Sequence, residues 1–516
     1  MLWRQENSLF KLLRDRLGSD AKNFITEINM GTALSPSVFV GKPIKFGTDG
    51  WRGMIAADFT FERVELVAAL AAKVLDECYG SSGSRTVIVG YDRRFLSPEF
   101  AGHAAEAIAQ AGYDVLLSEC FALTPAFSWA AKEKNALGAV VITASHNPAA
   151  YSGLKVKGAF GGSVPPEVTK KIEAQLSDGK PTAEQTGTIT SFDPWPSYCA
   201  ALQSMVDIEA IRKAIADGQL TVFADVMHGA AAGGFEKILG LPIREINGDA
   251  DPLFEGGAPE PLPKYIPALY KAVKEHHQSG AAGLTVGIIF DGDSDRVAGM
   301  DGTGEFLSSQ VLIPILIDHL KSHRGFTGEV IKTISGSNLM QLVAEHHGLS
   351  VYETPIGYKY IADRMLASQV LVGGEESGGI GYGHHIPERD ALLSALYLLE
   401  AVVKSGKDFG ELNQFLRQQT GFEGAYDRID LPLANMEVRA KLLEQLQSNT
   451  PQEIAGKPVQ DVLSIDGYKF TLADGSWLLI RFSGTEPVLR LYSEAASLDE
   501  VHRHLSWAKQ WAGSIN

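Results

Sequence analysis

A hydroxyl, an imidazole and an amine follow one apolar segment of this sequence. The segment VVITASHNP at 140–148 carries Ser145 and His146 directly after a β-branched run, and Lys155 comes shortly afterwards. The run predicts a buried strand, and Pro148 keeps the preceding residue out of the helical region, so Ser145 and His146 should lie in a stiff turn. A strand that ends on a nucleophile suits chemistry. Taken alone, however, the pair favours an ordinary polar turn, because short motifs often match by chance.

Three further apolar runs end in polar, glycine-containing loops. They lead into DGDSDR at 291–296, GGEESGG at 373–379 and RFSGTEP at 481–487. Open α/β sheets bind ligands at the carboxyl ends of their strands. Four such loops in one chain therefore predict a composite site.

Three aspartates alternate along the first of these loops. Asp291, Asp293 and Asp295 offer hard oxygen ligands that suit a divalent cation such as Mg²⁺, bound together with a phosphate oxygen. An EF-hand is excluded, because a strand precedes the loop and Gly302 occupies the closing position that requires glutamate. A solvated acidic turn remains the alternative for this loop when it is considered alone.

The last loop is typical of an anion cradle. Arg481, Ser483, Gly484 and Thr485, with Arg490 further on, provide guanidinium groups, hydroxyls and exposed backbone N–H groups. Phosphate is the natural ligand for such a set.

The glutamate loop offers acceptors for sugar hydroxyls. Glu375 and Ser377 stand among glycines, so the backbone could approach a ligand closely. A simple glycine-rich turn explains this loop equally well when it is taken alone.

In order and wording, the loops TASHNP, DGDSDR, GEESGG and RFSGTEP resemble those of the α-D-phosphohexomutase superfamily. A fifth segment, KFGTDGWRG at 45–53, is similar to the family's opening strand and its active-site arginine, here Arg52. The resemblance covers the chain from about residue 44 to the end. It is specific, because several independent short matches in the right order are improbable together.

The resemblance implies a phosphosugar mutase in which Ser145 carries the transferred phosphoryl group. It implies that Mg²⁺ is held by the serine phosphate and by Asp291, Asp293 and Asp295. Lys155 matches the family's proposed general base, with Arg52 and His146 assisting, and this role requires a lowered lysine pKa. Arg296 should neutralise the crowded anionic site.

Substrate binding is assigned to the later loops by the same resemblance. Glu375 and Ser377 match residues that bind the sugar O3 and O4, and the RFSGTEP loop matches the site for the non-transferring phosphate. That phosphate site comprises Arg481, Ser483, Gly484, Thr485 and Arg490. The loop TPIGYK at 354–359 resembles another family loop near the sugar, through Thr354, Gly357, Tyr358 and Lys359. Lys359 is expected to contact phosphate, with a surface turn as the alternative.

The wording of GEESGG, TPIGYK and RFSGTEP looks closer to the phosphoglucomutase branch of the family, so the resemblance implies a phosphoglucomutase that uses glucose 1,6-bisphosphate as intermediate and activator. Phosphomannomutase activity is the nearest alternative, and a phosphotransferase that makes and releases the bisphosphate could use the same residues. A non-catalytic sugar-phosphate sensor is disfavoured, because a sensor needs no phosphorylatable serine. Ser152, where the family often has asparagine, places the fine geometry of the serine loop in question.

Composition indicates a soluble, cytoplasmic enzyme that acts on small molecules. The 46 basic and 62 acidic residues give a net charge of −16, which argues against nucleic acid as the main partner. Cys78, Cys120 and Cys199 lie far apart, so disulfides and zinc are not expected. No apolar segment is long enough to cross a membrane, and no signal peptide is visible. Protein partners are not predicted.

Alternating strand and helix patterns predict an α/β fold. The resemblance implies three related α/β domains with mixed sheets and a smaller, different α+β C-terminal domain, arranged around a central active-site cleft. The expected ranges are an N-terminal extension at 1–43, then the phosphoserine domain at 44–200, the metal-binding domain at 201–305, the sugar-binding domain at 306–423 and the phosphate-binding domain at 424–516. Pro194 and Pro196 should interrupt regular structure near the first boundary. Helical spacing of apolar residues predicts an amphipathic N-terminal helix, through Leu9, Phe10, Leu12, Leu13 and Leu17.

Overall fold

Four β-sheets organise this protein in a computed structural model that describes residues 41–483 and 487–514. The chain divides into two units, Met1–Pro43 and Ile44–Asn516, and all four sheets belong to the second. The helix expected around Leu9 to Leu17 lies outside the described residues.

The first sheet is mixed and has seven strands in the order β1-β2-β6-β5-β3-β4-β7. Its strands are β1 Phe46–Gly47, β2 Gly50–Met54, β3 Thr86–Tyr91, β4 Asp114–Ser118, β5 Gly138–Ile142, β6 Tyr151–Gly158 and β7 Ile189–Phe192. Its helices are α1 Phe61–Tyr79, α2 Ser97–Gln110, α3 Thr124–Glu133 and α4 Pro166–Ala174. Along β5, Val140 and Ile142 pack with α1 and α2, whereas Ala139 and Val141 pack with α3. Both faces are buried, which explains the continuous apolar run.

The second and third sheets are also mixed, with orders β12-β11-β10-β8-β9 and β14-β13-β15-β16. The second contains β8 Leu220–Asp225, β9 Arg244–Ile246, β10 Leu284–Phe290, β11 Val297–Met300 and β12 Phe306–Leu307, with α5 Trp195–Met205, α6 Ile208–Ala216, α7 Gly234–Leu239 and α8 Pro267–Gln278. The third contains β13 Glu329–Thr333, β14 Val351–Thr354, β15 Val370–Gly374 and β16 Ile380–Gly381, with α9 Ser309–Ser322, α10 Asn338–His346, α11 Tyr358–Ala367, α12 Ala391–Ser405 and α13 Phe409–Thr420. In each sheet a parallel core carries antiparallel edge strands.

The fourth sheet is different, because every strand pair in it is antiparallel. It has the order β17-β22-β21-β20-β19-β18 and two helices on one face. These elements are β17 Ala425–Pro432, β18 Glu453–Ile454, β19 Lys457–Leu463, β20 Tyr468–Leu472, β21 Trp477–Phe482, β22 Val488–Ala495, α14 Met436–Ser448 and α15 Leu498–Gly513. The predicted fold class, three α/β domains followed by a different C-terminal domain, is confirmed.

One apolar core runs through the first three domains. It includes Val141 of the first sheet, Ile288 of the second, Val372 of the third, and the buried helix α12. The C-terminal domain has its own core, and a small cluster around Ile334 and Trp477 joins it to the third sheet. The first three domains are therefore fixed to one another by shared packing.

Pro194 and Pro196 lie at the start of a helix, so regular structure begins at the expected boundary rather than being interrupted there. Helix α5 begins at Trp195, since proline is tolerated in the first turn of a helix, where its missing N–H has no intrahelical partner. The boundary proposed at residue 200 falls inside this helix. Among the residues described, none of the helices combines the length and apolar character needed to cross a bilayer.

Candidate active site

Ser145 occupies a strained turn at the end of β5. Its φ of 54° lies in the left-handed region, which is costly for a residue other than glycine. The Thr143 hydroxyl accepts the Ser145 N–H at 2.9 Å, and the side chain is 1% exposed. Ser145 Oγ donates to Asp291 Oδ2 at 2.9 Å and lies 3.3 Å from His146 Nδ1. The turn therefore directs the hydroxyl at the aspartate loop.

Arg94, which follows β3, holds this turn in place. The buried guanidinium is paired with Asp92, at 3.3 Å from Nε to Oδ2. Its terminal nitrogens donate to four backbone carbonyls of the serine loop, those of Ser145 and Asn147 at 2.6 Å and of Pro148 and Tyr151 at 3.1 Å. These charge-assisted bonds offset the strain at Ser145.

The three aspartates meet after β10 in a fully buried cluster. Their candidate ligand oxygens all lie within 4.8 Å of one another. Asp291 Oδ1 accepts the N–H groups of Asp295 at 3.0 Å and Arg296 at 3.2 Å, which tightens the loop. By contrast, the buried Oδ1 atoms of Asp293 and Asp295 have no hydrogen-bond partner in the described part of the chain. Burial, with Asp295 and Asp293 nearby, raises the pKa of Asp291 well above its usual range.

This donor set fits a divalent cation. Buried carboxylate oxygens without donors need a positive partner, and carboxylates are the ligands that Mg²⁺ prefers. Gly292 allows the aspartate loop to approach Ser145 closely, because a Cβ at that position would lie 2.4 Å from the carbonyl oxygen of Ser145.

Lys155, on β6, inserts its ammonium group among the carboxylates. Nζ lies 2.7 Å from both Asp293 Oδ2 and Asp49 Oδ2, and 2.8 Å from Asp295 Oδ2. Burial alone would lower the pKa of Lys155, but Asp293, Asp295 and Asp49 outweigh it and raise that pKa above its usual value. The expectation of a lowered lysine pKa is therefore wrong here, because the neighbours of Lys155 are carboxylates rather than cations.

Arg52 and Arg296 lie near the serine loop, where both lower the pKa of His146, and no carboxylate forms a close ion pair with either in the described part of the chain. Arg52, on β2, donates to the neutral side chain of Asn147 at 2.7 Å. Arg296 Nε is buried and has no hydrogen-bond partner among the described residues, its nearest carboxylate oxygen being 3.8 Å away on Asp295. Burial and then Arg296 lower the pKa of Arg52. Two guanidinium groups that repel each other in this way are suited to a phosphate.

His146 is held in its neutral form by the same surroundings. Burial, followed by Arg296 and Arg52, depresses the pKa of His146 far below its usual value. A pKa depressed this far keeps the imidazole neutral beside the serine hydroxyl but also makes it a weak base.

Arg389 joins three of these groups and was not predicted. Its Nη2 donates to Asp295 Oδ2 at 2.6 Å and to Asp49 Oδ2, and its Nη1 lies 3.9 Å from Glu375 Oε2. Gly379 leaves room for it, since a Cβ there would lie 2.4 Å from Arg389 Cδ.

The glutamate loop follows β15 on the third sheet. Glu375 is 5% exposed, and its Oε1 accepts the N–H of Gly357 at 3.1 Å. Burial raises the pKa of Glu375 to about 7, although Arg389 opposes the shift. Ser377 is half-buried two residues further on. The hydrogen bond brings the TPIGYK loop and the glutamate loop together.

Within the TPIGYK loop the four predicted residues differ in environment. Thr354 is buried at the end of β14, and Lys359 Nζ lies 4.9 Å from the ring centroid of Tyr360. Tyr358 is 5% exposed and packs in an apolar cluster, with its hydroxyl 3.8 Å from Met365 Sδ and its ring centroid 5.6 Å from Arg389 Cζ. Tyr358 begins α11 with its ring turned inward, so it packs the domain.

The arginine loop lies between β21 and β22. Arg481 Nε donates to Asp466 at 2.8 Å, and the same carboxylate accepts the N–H of Ile356 in the TPIGYK loop at 3.0 Å. Arg490 is paired with Arg481 across the two strands. Ser483 is buried at the end of β21, whereas Gly484 and Thr485 lie outside the described residues. The fourth sheet thus places two arginines near the TPIGYK loop, which itself contacts the glutamate loop.

Four family models of phosphoglucomutase/phosphomannomutase match consecutive parts of the chain. The alpha/beta/alpha domains I, II and III match residues 43–183, 196–304 and 308–419, and the C-terminal domain matches residues 433–505. The chain belongs to the α-D-phosphohexomutase superfamily.

The relatives of this phosphohexomutase carry more than one substrate name. A phosphoglucomutase/phosphomannomutase from Thermococcus kodakarensis is 29% identical over 466 residues, covering 89% of this chain and 96% of the relative. A phosphoglucosamine mutase from Frankia casuarinae is 29% identical, covering 88% and 94%. A structure from Thermus thermophilus, described as a phosphomannomutase, is 32% identical with a TM-score of 0.78, covering 92% and 100%. The chain is therefore an enzyme of phosphohexomutase type.

Sequence reasoning missed several residues that contact the site of this phosphohexomutase. Arg94 follows the apolar run of β3, so the rule that located the other loops could have found it. Asp49 lies inside the segment KFGTDGWRG, which was quoted for its arginine. Thr124 donates to Asp293 Oδ2 at 2.5 Å from the start of α3, and no spacing in the sequence signals that contact.

Proposed function

We propose that this protein is a phosphoglucomutase that interconverts glucose 1-phosphate and glucose 6-phosphate through a phosphoserine at Ser145. One observation carries the proposal. A hydroxyl held in a strained turn lies 2.9 Å from a buried cluster of three aspartates, two of which have oxygens without donors, and two arginines lie near the residues that follow it in the serine loop. This combination supports phosphoryl transfer, in which charge neutralisation and positioning account for most of the catalysis.

Asp291, Asp293 and Asp295, with the serine phosphate, would hold Mg²⁺. When bound, the metal supplies positive charge beside the oxygens of the transferring phosphoryl group. Arg52 and Arg296 would bind the remaining phosphate oxygens, and the Arg94 hydrogen bonds keep Ser145 Oγ aimed at the aspartate loop.

The hydroxyl of the sugar that receives the phosphoryl group must lose a proton. Lys155 and His146 both lie close enough to the reaction centre to assist. His146 is neutral in this arrangement, whereas Lys155 carries its proton among three carboxylates and would accept one only after losing it. Lys155→Met and His146→Gln separate the roles: the variant that lacks the base loses the acidic limb of the pH–rate profile, where protonation of the base lowers the rate.

The later loops support a hexose phosphate as substrate. Glu375 and Ser377 would bind O3 and O4, and Arg481 with Arg490 would bind the phosphate that is not transferred. Because O3 and O4 occupy similar places in both orientations of the sugar, glucose 1,6-bisphosphate could turn and present either phosphate to Ser145. We infer that turning is faster than release, which favours mutase over bisphosphate synthase activity.

Two other sugars deserve direct comparison. Mannose differs from glucose only at C2, and the proposed contacts at O3 and O4 do not read that position. Glucosamine also differs at C2, and several relatives are named phosphoglucosamine mutases.

The test follows products by ³¹P NMR with the 1-phosphates of glucose, mannose and glucosamine, each with a catalytic amount of its 1,6-bisphosphate. We expect conversion of glucose 1-phosphate to glucose 6-phosphate and a phosphorylated Ser145 in the intact-protein mass spectrum. Ser145→Ala should lose nearly all turnover but still bind sugar phosphate, whereas Ser152→Ala, a matched buried serine on β6, should stay active. Bisphosphate accumulating in step with a consumed phosphoryl donor would replace the mutase with a synthase.

A further inference from the structure

A second buried lysine lies on the same strand as Lys155. Lys155 and Lys157 are two residues apart on β6, so their side chains leave the same face of the sheet. They are 1% and 0% exposed. Both contact Asp49, Lys155 through Oδ2 at 2.7 Å and Lys157 through Oδ1 at 3.1 Å. The Asp49 carboxylate thus connects Lys155, which contacts Asp293 and Asp295, to Lys157, which does not contact those two aspartates.

The ammonium group of Lys157 has partners on every side. Besides Asp49, it contacts Glu388 Oε2 at 2.5 Å and donates to Ser163 Oγ at 2.8 Å. The Ser163 hydroxyl in turn lies 3.0 Å from Asp49 Oδ1 and 3.4 Å from Glu388 Oε2. Three donors therefore meet three acceptors, which a buried ammonium group requires.

Glu388 also fixes the loop that carries Arg389. Its Oε1 accepts the Arg389 N–H at 3.1 Å, and its Oε2 lies 3.3 Å from the Ser128 hydroxyl of α3. Arg389 then reaches back to Asp49 and Asp295. Asp49 is consequently held from one side by Lys155 and Arg389, and from the other by Lys157 and Ser163.

Burial, which would raise the pKa of Asp49, is outweighed by Lys155, Lys157 and Arg389, so that this pKa lies well below its usual range. Asp49 is therefore a fixed negative charge. Its position decides where the Lys155 ammonium and the Arg389 guanidinium lie with respect to the aspartate cluster.

We propose that Lys157 and Glu388 are positioning residues for phosphoryl transfer, which hold Asp49 so that Lys155 and Arg389 are correctly placed. This inference rests on the proposed function. Neither residue touches the aspartate cluster or Ser145 in the described structure, so their effect is transmitted through Asp49 and the Arg389 loop. A misplacement of about 1 Å at a reacting centre can lower a rate by about 10²-fold.

The test uses a paired variant, because removing one partner of a buried ion pair leaves an uncompensated charge. Lys157→Met with Glu388→Gln removes both charges and keeps the volumes similar. We expect kcat for the hexose phosphate to fall about 10–100-fold, with KM changed less than about threefold, since the groups that bind sugar are untouched. The single-turnover rate of Ser145 phosphorylation by glucose 1,6-bisphosphate should fall in parallel.

The matched control is Glu400→Gln on α12. Glu400 is equally buried and pairs with His319 at 2.8 Å and Arg324 at 3.3 Å, residues outside the site. This variant should lose stability and keep kcat, which separates a positioning effect from general destabilisation. If the paired variant does not fold, Ser163→Ala preserves all charges and should lower kcat about three- to tenfold by removing only the bridging hydroxyl.

Suppose that the wild type is active. If kcat of the paired variant then equals that of wild type, or falls no more than kcat of Glu400→Gln, this inference is refuted while the proposed function stands. In the Ser163→Ala arm, kcat equal to wild type would do the same. A wild type that converts none of the three hexose 1-phosphates would refute the proposed function, and this inference with it.

Discussion

Glu375 should make this protein less stable as pH rises, which reverses the usual behaviour of a paired carboxylate. The side chain is 5% exposed, and its pKa is raised from 4.5 to about 7, mainly by burial. Below pH 4.5 the folded and unfolded states both carry the proton. Between pH 4.5 and 7 the unfolded state ionises while the folded state does not, so stability falls across this window. Above pH 7 the full cost is present, about 3 kcal/mol for a shift of this size.

Glu375→Gln removes the titration and keeps an oxygen that can accept the Gly357 N–H. Relative to wild type, the variant should gain about 2.5 kcal/mol of local stability between pH 5 and pH 8. Because the C-terminal domain has its own core, global unfolding need not be two-state. Native-state hydrogen exchange of the β13 and β15 amides reports the opening of the third sheet directly.

Glu376→Gln is the matched control in the same loop. The Glu376 carboxylate accepts hydrogen bonds from Ser335 Oγ at 2.6 Å and Thr333 Oγ1 at 3.3 Å, so its neutral amide should give no such gain. A difference between Glu375→Gln and wild type that stays constant from pH 5 to pH 8 would contradict the argument, because it would mean that Glu375 does not titrate differently in the folded state.

Three further outcomes are expected. Chelation or Asp293→Asn should abolish turnover, and added Mg²⁺ should restore only the chelated wild type; full activity in excess chelator would contradict the metal assignment. Arg94→Lys should lower the free energy of unfolding by about 3–5 kcal/mol and kcat by at least about 10²-fold, since one ammonium cannot replace four carbonyl contacts; calorimetry and steady-state kinetics check this. The ratio of kcat/KM for glucose 1-phosphate to kcat/KM for mannose 1-phosphate should correspond to a free-energy difference of about 1–3 kcal/mol. A ratio far above about a thousandfold would show that the protein contacts C2 directly.

The strand-end loops could be predicted because each follows from local pattern. The apolar runs before Ser145, Asp291 and Glu375 form strands β5, β10 and β15, and the order of the motifs identified the superfamily. The shared core of the first three domains was less accessible, since packing between sheets leaves no spacing in the sequence.

The charges behind the loops could not be predicted for a physical reason. In the sequence, Lys157 has the spacing of an ordinary polar residue on strand β6, and Glu388 that of a polar loop residue. In the structure, Lys157 Nζ lies 2.5 Å from Glu388 Oε2, although the two residues are far apart in the sequence. The burial of Tyr358 could not be predicted either, because membership of the TPIGYK loop does not show which way a ring turns. The expectation of a low pKa for Lys155 was wrong for the same reason, since Asp49 approaches Lys155 from a segment far away in the sequence.

The division between the cores matches the division of chemical tasks that we propose. Ser145, the three aspartates, Lys155 and Arg389 belong to domains that share one core and a buried ion network, so their mutual distances are set by packing that tolerates little displacement. Arg481 and Arg490 belong to a sheet with a separate core. Phosphoryl transfer demands fixed geometry, whereas holding a second phosphate demands mainly positive charge. A bisphosphate that must present each end in turn would therefore exchange its contacts on the C-terminal domain while Ser145 and its neighbours keep one arrangement.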